Sequence, residues 1–196
     1  MTESEHHSEE AAGLELKEDK SIKMSLTCKS MRASFPSVKQ MQTSELHHLI
    51  RNPQTKDAVV VLDVRPDEEF RVSHIEKSVR VDPSTKNLPA VVQSIKAILG
   101  TSALSETPRV VAYCSLGYRS SDLISRLSQY CAKSSEPEIQ QLTSNIQMFN
   151  LEGSLFKWAN ESRPMVDSNN DVTVVCHPFN AIWGKILRKE FRAKVE

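Results

Sequence analysis

The sequence contains two mainly apolar runs that predict buried strands. Residues 58–64 form a mostly β-branched run, and residues 110–113 form a second one. A strand that is apolar on both faces is typical of a parallel sheet covered by helices. Between them, residues 88–99 place apolar side chains three and four positions apart, which predicts an amphipathic helix that Gly100 ends. This alternation predicts an α/β domain with a mostly parallel central sheet flanked by helices.

Shorter signals predict the remaining elements. Thr43 is predicted as the N-cap of a helix that Asn52-Pro53 ends, and Pro66-Asp67 as the start of a short helix. Further strands are predicted over residues 37–41, 78–81 and 146–150, helices from residue 120 and over 155–160, and a polar helical or loop insertion over 132–144.

The two ends of the chain differ in character from the middle. Residues 1–33 hold few large apolar groups, so we predict a disordered tail in which Cys28 is an exposed thiol. Residues 34–168 form the predicted domain. Residues 169–196 are predicted as a strand and an amphipathic helix packed on that domain, although a helix that docks a partner or lies on a membrane surface remains an alternative. The apolar stripe of this helix is Phe179, Ile182, Trp183, Ile186, Leu187 and Phe191.

Composition and charge narrow the function classes. The 25 basic and 25 acidic side chains cancel, so charge gives no reason to expect nucleic-acid binding. No apolar run is long enough for a membrane span, and the acidic first ten residues resemble no targeting peptide, which favours the cytoplasm. The four cysteines form no CxxC pair, so we expect free thiols and no metal site.

Cys114 combines several features of a reactive thiol. It follows the second buried strand, at the sheet edge where open α/β domains bind ligands. Backbone amides of residues 115–119 can turn inward as an anion cradle at a helix N-terminus, Gly117 permits the tight turn, and Arg119 adds a fixed positive charge. These groups should lower the thiol pKa. A cysteine at a strand end is often only a small buried hydrophobe, but Gly117 and Arg119 favour the functional interpretation.

The loop from Cys114 to Arg119 resembles the active-site loop of the rhodanese-like sulfurtransferases. Two further blocks resemble that family in the same order, so the resemblance covers about residues 36–167. The upstream block is residues 62–65, Glu69-Phe70 and His74-Ile75, and the downstream block is residues 150–154, Trp158 and residues 164–166.

The resemblance implies a single-domain sulfurtransferase that carries sulfane sulfur as a persulfide on Cys114. The donor would be thiosulfate or glutathione persulfide and the acceptor cyanide or a protein thiol, with no metal or organic cofactor. The implied catalytic residues are Cys114 and Arg119, the substrate-binding residues Ser115, Leu116, Gly117, Tyr118 and Ser120, and the supporting residues Asp63 and Arg65.

Two other functions remain open. Phosphatases and arsenate reductases of the related fold have five residues between cysteine and arginine, whereas this loop has four, which favours sulfur. A non-catalytic protein-binding module is the other alternative. Because Ser115 and Leu116 add no charge, thiosulfate is expected to be a poor donor. The family's Gly-Ala pair after the His-Ile pair is replaced by residues 76–78, and Ser154 replaces a second glycine.

Five other residues have simpler interpretations. His74 is expected to stabilise a turn, Trp158 to lie in the core, and Cys131 to be a core thiol. Cys176 and His177 are adjacent on a predicted strand and therefore point to opposite faces, so they are not expected to form a nucleophile–base pair.

Overall fold

The computed structural model describes residues 21–100 and 107–194, without the side chains of residues 138 and 141–143. Within these ranges a parallel sheet has the strand order β1-β5-β4-β2-β3. Its strands are β1 (Gln40–Met41), β2 (Val59–Asp63), β3 (Val79–Arg80), β4 (Arg109–Tyr113) and β5 (Gln147–Leu151). The two mainly apolar runs therefore become neighbouring inner strands, and the α/β prediction is confirmed.

Helices cover both faces of the sheet. They are α1 (described over 21–34), α2 (Thr43–Arg51), α3 (Asp67–Val72), α4 (Leu88–Leu99), α5 (Tyr118–Lys133), α6 (Pro137–Asn145) and α7 (Ser154–Asn160). Val61 and Val111 pack with buried residues of α1, α2 and α7, whereas Val60 and Val110 pack with those of α4 and α5. Because successive strand residues point to opposite faces, a β-branched run is needed to fill both layers.

Two helix starts differ slightly from the sequence prediction. Thr43 is the first residue of α2 and Gln42 its N-cap, because the Thr43 hydroxyl binds Glu161 instead of an α2 amide. Helix α5 begins at Tyr118, two residues before the predicted Ser120. No helix among the described residues is both long and apolar enough to cross a membrane.

Helix α1 corrects the predicted disordered tail over residues 21–33. Met24 and Cys28, four positions apart, face the domain and are buried in the core beside Leu155 and Phe156. The prediction of an exposed Cys28 is wrong, because this sparse apolar face is completed by side chains more than a hundred residues away. Residues 1–20 lie outside the described residues.

The segment after the domain forms short elements. Strands β6 (Met165–Val166) and β7 (Val172–Thr173) are antiparallel, and β7 is shorter than the predicted strand. The predicted amphipathic helix is replaced by two 3-10 turns, over Trp183–Ile186 and Lys189–Phe191. The Asn160 side chain binds the Ile186 carbonyl and the Arg188 amide, groups that a continuous helix would pair internally. Ile186 and Leu187 are buried in the core.

Candidate functional site

Cys114 directly follows β4, the middle strand of the sheet, and α5 begins four residues later. The chain turns between them through Gly117, whose φ of 112° is a left-handed conformation that favours glycine. A side chain at this position would place its Cβ 3.3 Å from Nδ2 of Asn150. The turn directs the Gly117 N–H at the Cys114 Sγ over 3.1 Å. The predicted cradle therefore has at least one amide aimed at sulfur.

The first turn of α7 holds the loop from the other side. The amides of Leu155 and Phe156 donate to the carbonyls of Cys114 and Ser115, at 3.0 and 3.1 Å. The Cys114 amide donates to the Ser154 hydroxyl at 3.2 Å. Ser154 has a φ of 52°, a left-handed conformation that favours glycine, and the family's pattern has glycine at this position. The Ser154 hydroxyl supplies a contact that glycine lacks.

Ser120 and Asn150 connect α5 to β5 beneath the loop. The buried Ser120 hydroxyl donates to Oδ1 of Asn150 at 2.6 Å, and Nδ2 of Asn150 donates to Oε1 of Gln40 at 2.8 Å. Buried polar side chains of this kind fix a local geometry because each loses hydrogen-bond energy when it moves. Ser120 is therefore placed as a support of the loop, together with Asn150, which sequence reasoning did not select.

Arg119 does not point freely into solvent but is held by Glu69. Its two terminal nitrogens donate to Oε1 and Oε2 of Glu69 at 2.7 and 3.0 Å. The Ser115 hydroxyl donates to the same carboxylate at 2.6 Å, so α3 and the loop share one buried network. Burial raises the pKa of Glu69, but the hydrogen bond and charge of Arg119 and the Ser115 hydrogen bond outweigh it and hold that pKa below its usual value.

The electrostatics of Cys114 differ from those of the other three cysteines. Burial raises its pKa. The Arg119 charge and the amides of Ser120 and Gly117 together lower it by more than burial raises it, so the net shift is downward. For Cys28, Cys131 and Cys176 the net shift is upward, with burial as the largest cause, and for Cys176 the pKa reaches about 12. Of the four thiols, Cys114 is the one whose surroundings favour the thiolate.

A cavity of about 270 Å³ opens over Cys114. Its base is formed by the loop, including the predicted residues Ser115, Leu116, Tyr118 and Arg119. Its other walls come from both ends of the chain: Thr27 and Met31 from α1, and Phe179 and Trp183 from the C-terminal segment.

Asp63 and Arg65 form a buried ion pair in the domain's interior. Nε and Nη2 of Arg65 donate to the Asp63 carboxylate at 2.8 and 2.6 Å, and Nη2 also donates to the Ser73 carbonyl. Burial lowers the pKa of Arg65, but Asp63 more than offsets this and raises it above its usual value. The pair joins the end of β2 to the turn after α3, as a structural support would.

The other candidate residues have contacts that fit structural roles. His74 stacks on Phe70 with ring centroids 3.9 Å apart, and its Nδ1 lies 3.2 Å from the Phe70 carbonyl. Trp158 is fully buried and donates to the Pro164 carbonyl. Nδ1 of His177 accepts the Phe179 amide at 3.0 Å instead of facing a thiol. Among the residues that the structure describes, no group of three His, Cys, Asp or Glu side chains is arranged to hold a metal.

Sequence reasoning missed several residues of the site. Glu69 follows the carboxyl end of β2, the same sheet edge that presents Cys114, and this shared edge was the signal that could have identified it. Met31, Phe179 and Trp183 gave no such signal, since they come from terminal segments whose position no local pattern specifies.

Comparison with known proteins places the chain in a family. A family model for the rhodanese-like domain matches residues 42–161. A search of curated proteins found no match. The described fold is similar to several solved structures, all at low sequence identity.

Three of these structures illustrate the range. An As-Sb reductase from Leishmania major is 14% identical, with a TM-score of 0.53 over 70% of this chain and 92% of that one. A thiosulfate sulfurtransferase from Pseudomonas aeruginosa is 16% identical, with a TM-score of 0.49 over 71% of this chain and 22% of that one. A rhodanese-related protein from Thermoplasma volcanium is 20% identical, with a TM-score of 0.41 over 65% and 97%. At such identities a structural likeness concerns the fold, whereas the family model spans more than half of the chain. The protein belongs to the rhodanese-like domain family.

Proposed function

We propose that the protein is a sulfurtransferase that carries sulfane sulfur on Cys114 and passes it to a thiol or another nucleophile. The observation that carries this proposal is the position of the Cys114 Sγ. It lies at the base of a cavity that Arg119 also lines, 3.1 Å from the Gly117 amide nitrogen. A thiolate in such surroundings is the reactive form for attack on a sulfur–sulfur bond.

The reaction consists of two balanced displacements. In the first, the Cys114 thiolate attacks the outer sulfur of a donor R–S–SH, a new S–S bond forms, the donor S–S bond breaks, and R–S⁻ leaves. The proton stays on the transferred sulfur, giving Cys114–S–SH. In the second, an acceptor thiolate attacks that outer sulfur and regenerates the Cys114 thiolate. Both steps exchange one S–S bond for another, so no external oxidant or reductant is consumed.

The loop supplies what these steps require. The Gly117 amide donates a hydrogen bond to the sulfur that becomes negative when the persulfide is attacked. Arg119 contributes positive charge near Sγ while Glu69 fixes its position. Ser115 acts through Glu69, Ser120 supports the loop through Asn150, and Leu116 and Tyr118 contact the substrate as walls of the cavity.

The same contacts disfavour chemistry on a tetrahedral oxyanion. Phosphate or arsenate needs several free donors directed at its oxygens. In this loop the fork of Arg119 is occupied by Glu69, and the Ser115 hydroxyl donates to the same carboxylate. The four-residue spacing also leaves a smaller ring of amides than the related phosphatases have.

Mass spectrometry of the intact protein and of the Cys114 peptide tests the proposal. After incubation with thiosulfate or glutathione persulfide, Cys114 should gain one sulfur atom, which cyanide or a thiol then removes. Cys114→Ser should lose this modification and remain folded, whereas Cys131→Ser, a matched change of another buried thiol, should keep it. A Cys114 that reacts with iodoacetamide but gains sulfur from none of the donors would contradict the proposal, and release of phosphate from a phosphate ester would favour the phosphatase alternative.

A further inference from the structure

We infer that the sulfur transferred at Cys114 arrives or leaves on a short alkyl or aryl group, and that Met31, Phe179 and Trp183 select this group. The inference rests on the proposed sulfur transfer and adds the substrate class to it. All three side chains line the cavity over Cys114. They lie outside residues 42–161, so the selecting walls come from the extensions of this chain and not from the family domain.

Three polar side chains that line the cavity, those of Thr27, Ser115 and Arg119, are already engaged with the protein. The Thr27 hydroxyl donates to the Lys23 carbonyl at 2.8 Å. The Ser115 hydroxyl donates to Glu69, and both terminal nitrogens of Arg119 bind the same carboxylate. A polar substrate would therefore lose hydration in exchange for few side-chain hydrogen bonds, which is unfavourable. The remaining lining side chains, Met31, Leu116, Phe179 and Trp183, offer apolar surface, and Tyr118 offers its ring.

The cavity should attract anionic substrates only weakly, although it contains the positively charged Arg119. Glu69 neutralises Arg119, and the Phe179 ring covers the guanidinium, with the Arg119 Cζ 5.0 Å from the ring centroid. A dianion such as thiosulfate meets a compensated charge. An uncharged persulfide R–S–SH does not depend on such charge, and the Gly117 amide donates to the Cys114 Sγ that attacks it.

The C-terminal segment presents two of its aromatic side chains, Phe179 and Trp183, at the cavity. Phe179 and Trp183 are 42% and 43% exposed, so large apolar surface faces the cavity and solvent instead of the core. Phe179 has a φ of 63°, a costly conformation for a bulky residue. Oδ1 of Asn180 accepts the amides of Ile182 and Trp183 at 3.0 and 2.9 Å and thereby fixes the turn between the two rings. A strained Phe179 and a Trp183 held by the Asn180 turn, both partly exposed beside a reactive thiol, are features that binding of an apolar group explains.

The α1 wall is fixed against the reactive loop. Cγ of Met31 lies 3.7 Å from the point where a Cβ on Gly117 would stand. Phe35, just after α1, packs edge-on against Tyr118 with ring centroids 5.2 Å apart. Methionine adapts its shape to an apolar partner and makes favourable contacts with aromatic rings. The α1 wall therefore adds a further apolar surface to the cavity that Phe179 also lines.

The size of the cavity limits the group it accepts. About 270 Å³ is below the roughly 300–1,000 Å³ of drug-sized ligand sites. A phenyl, benzyl or short alkyl group fits this space and buries apolar surface there. Glutathione carries two carboxylates and an amine, and mainly apolar walls compensate poorly for the hydration that these charged groups would lose.

Alkylation of the full-length protein tests the cavity without sulfur chemistry. Cys114 should react faster with N-benzyl-iodoacetamide than with iodoacetamide, by about tenfold after correction for the rates of free glutathione. Iodoacetate should show no advantage over iodoacetamide. Phe179→Ala and Trp183→Ala should each bring the benzyl preference to within about threefold of free thiol, since exposed residues can be truncated without unfolding the domain. Ile182→Ala changes an exposed apolar neighbour on the same segment that does not line the cavity and should preserve the preference.

Sulfur transfer provides the second arm of the test. Cys114 persulfide should pass its sulfur to benzyl mercaptan faster than to glutathione, and Phe179→Ala should remove this difference. If Cys114 is loaded and unloaded but neither arm shows a benzyl preference, the inference is overturned while the proposed function stands. If no donor, including benzyl persulfide, loads Cys114, the proposed function fails and the substrate assignment fails with it, whatever the alkylation ratio.

Discussion

The Glu69 carboxylate accepts hydrogen bonds from both terminal nitrogens of Arg119, at 2.7 and 3.0 Å. Glu69 lies on α3, fifty residues earlier in the chain. A forked arginine–carboxylate pair is geometrically specific and charge-assisted. Here the pair holds the guanidinium near Cys114 while cancelling much of the charge that an entering anion would feel. Arg119 can therefore lower the pKa of the Cys114 thiol without also binding an anionic donor strongly.

Replacement of Arg119 should change the acidity of Cys114. Arg119→Ala removes the positive charge that lowers the thiol pKa and leaves burial, which raises it. We expect the pH profile of iodoacetamide alkylation at Cys114 to move to higher pH, by about one unit or more. Lys185→Ala removes a basic side chain that does not line the cavity and is the matched control. An Arg119→Ala profile that coincides with wild type would refute this account of the site's electrostatics.

Replacement of Glu69 should have the opposite effect. Glu69→Gln retains a hydrogen-bond acceptor for Arg119 but leaves the guanidinium charge uncompensated, so the Cys114 pKa should fall below its wild-type value. Thiosulfate should then load Cys114 faster, because the cavity gains net positive charge. Single-turnover loading rates and the alkylation profile measure both effects. Glu152→Gln, which disrupts the ion pairs with Arg32 and Lys157 elsewhere, should change neither.

Glu69 should also contribute to stability in a pH-dependent way. Its pKa in the folded protein lies below the ordinary value of 4.5, so folding favours the charged carboxylate. This stabilisation is fully present above pH 4.5 and is lost as pH falls through the lowered folded pKa. Urea unfolding at a series of pH values between 7 and 3 should show a smaller acid-induced loss of unfolding free energy for Glu69→Gln than for wild type. Equal losses in the two proteins would show that the pair contributes nothing to acid stability.

Local patterns were sufficient to predict the sheet and the reactive loop. The runs that became β2 and β4 are apolar at nearly every position because both of their faces are covered. The position of Cys114 at the end of β4 followed from the order of the elements. Gly117 was identified correctly as the residue that permits the turn, since its φ of 112° favours glycine.

Contacts between distant segments were beyond such patterns. Cys28 in α1 is buried against the domain, yet the composition of residues 1–33 does not predict burial. The C-terminal stripe has helical spacing, but Asn160 supplies hydrogen bonds to Ile186 and Arg188 that make short turns the favoured backbone. Contacts with residues distant in sequence therefore determine the conformation of both terminal segments. A single sequence does not reveal which residues make those contacts.

The Asp63–Arg65 pair should be essential for stability and unimportant for the thiol. Asp63→Ala leaves a fully buried guanidinium without its carboxylate, which costs about 3–5 kcal/mol in comparable buried pairs. We expect a large drop in the urea midpoint. At low urea, where the variant is folded, the alkylation profile of Cys114 should match wild type. A shifted profile would instead assign Asp63 to the reactive site.

Lys77 occupies a backbone conformation that glycine adopts at lower cost. Its φ is 63°, and it lies in the turn where the family's pattern has Gly-Ala. Lys77→Gly removes the steric cost of an L-residue in the left-handed region, which is about 1–2 kcal/mol. Glycine also raises the entropy of the unfolded chain, which offsets part of this gain in stability. The net gain should be about 0.5–1 kcal/mol, or roughly 1–4 °C in Tm for a chain of this size. Asn170→Gly, at the same φ of 63°, should gain less, because asparagine tolerates this conformation better than lysine. Calorimetric Tm values for the two variants measure the difference, and a Lys77→Gly protein that melts below wild type would show that the Lys77 side chain stabilises the turn more than its backbone strains it.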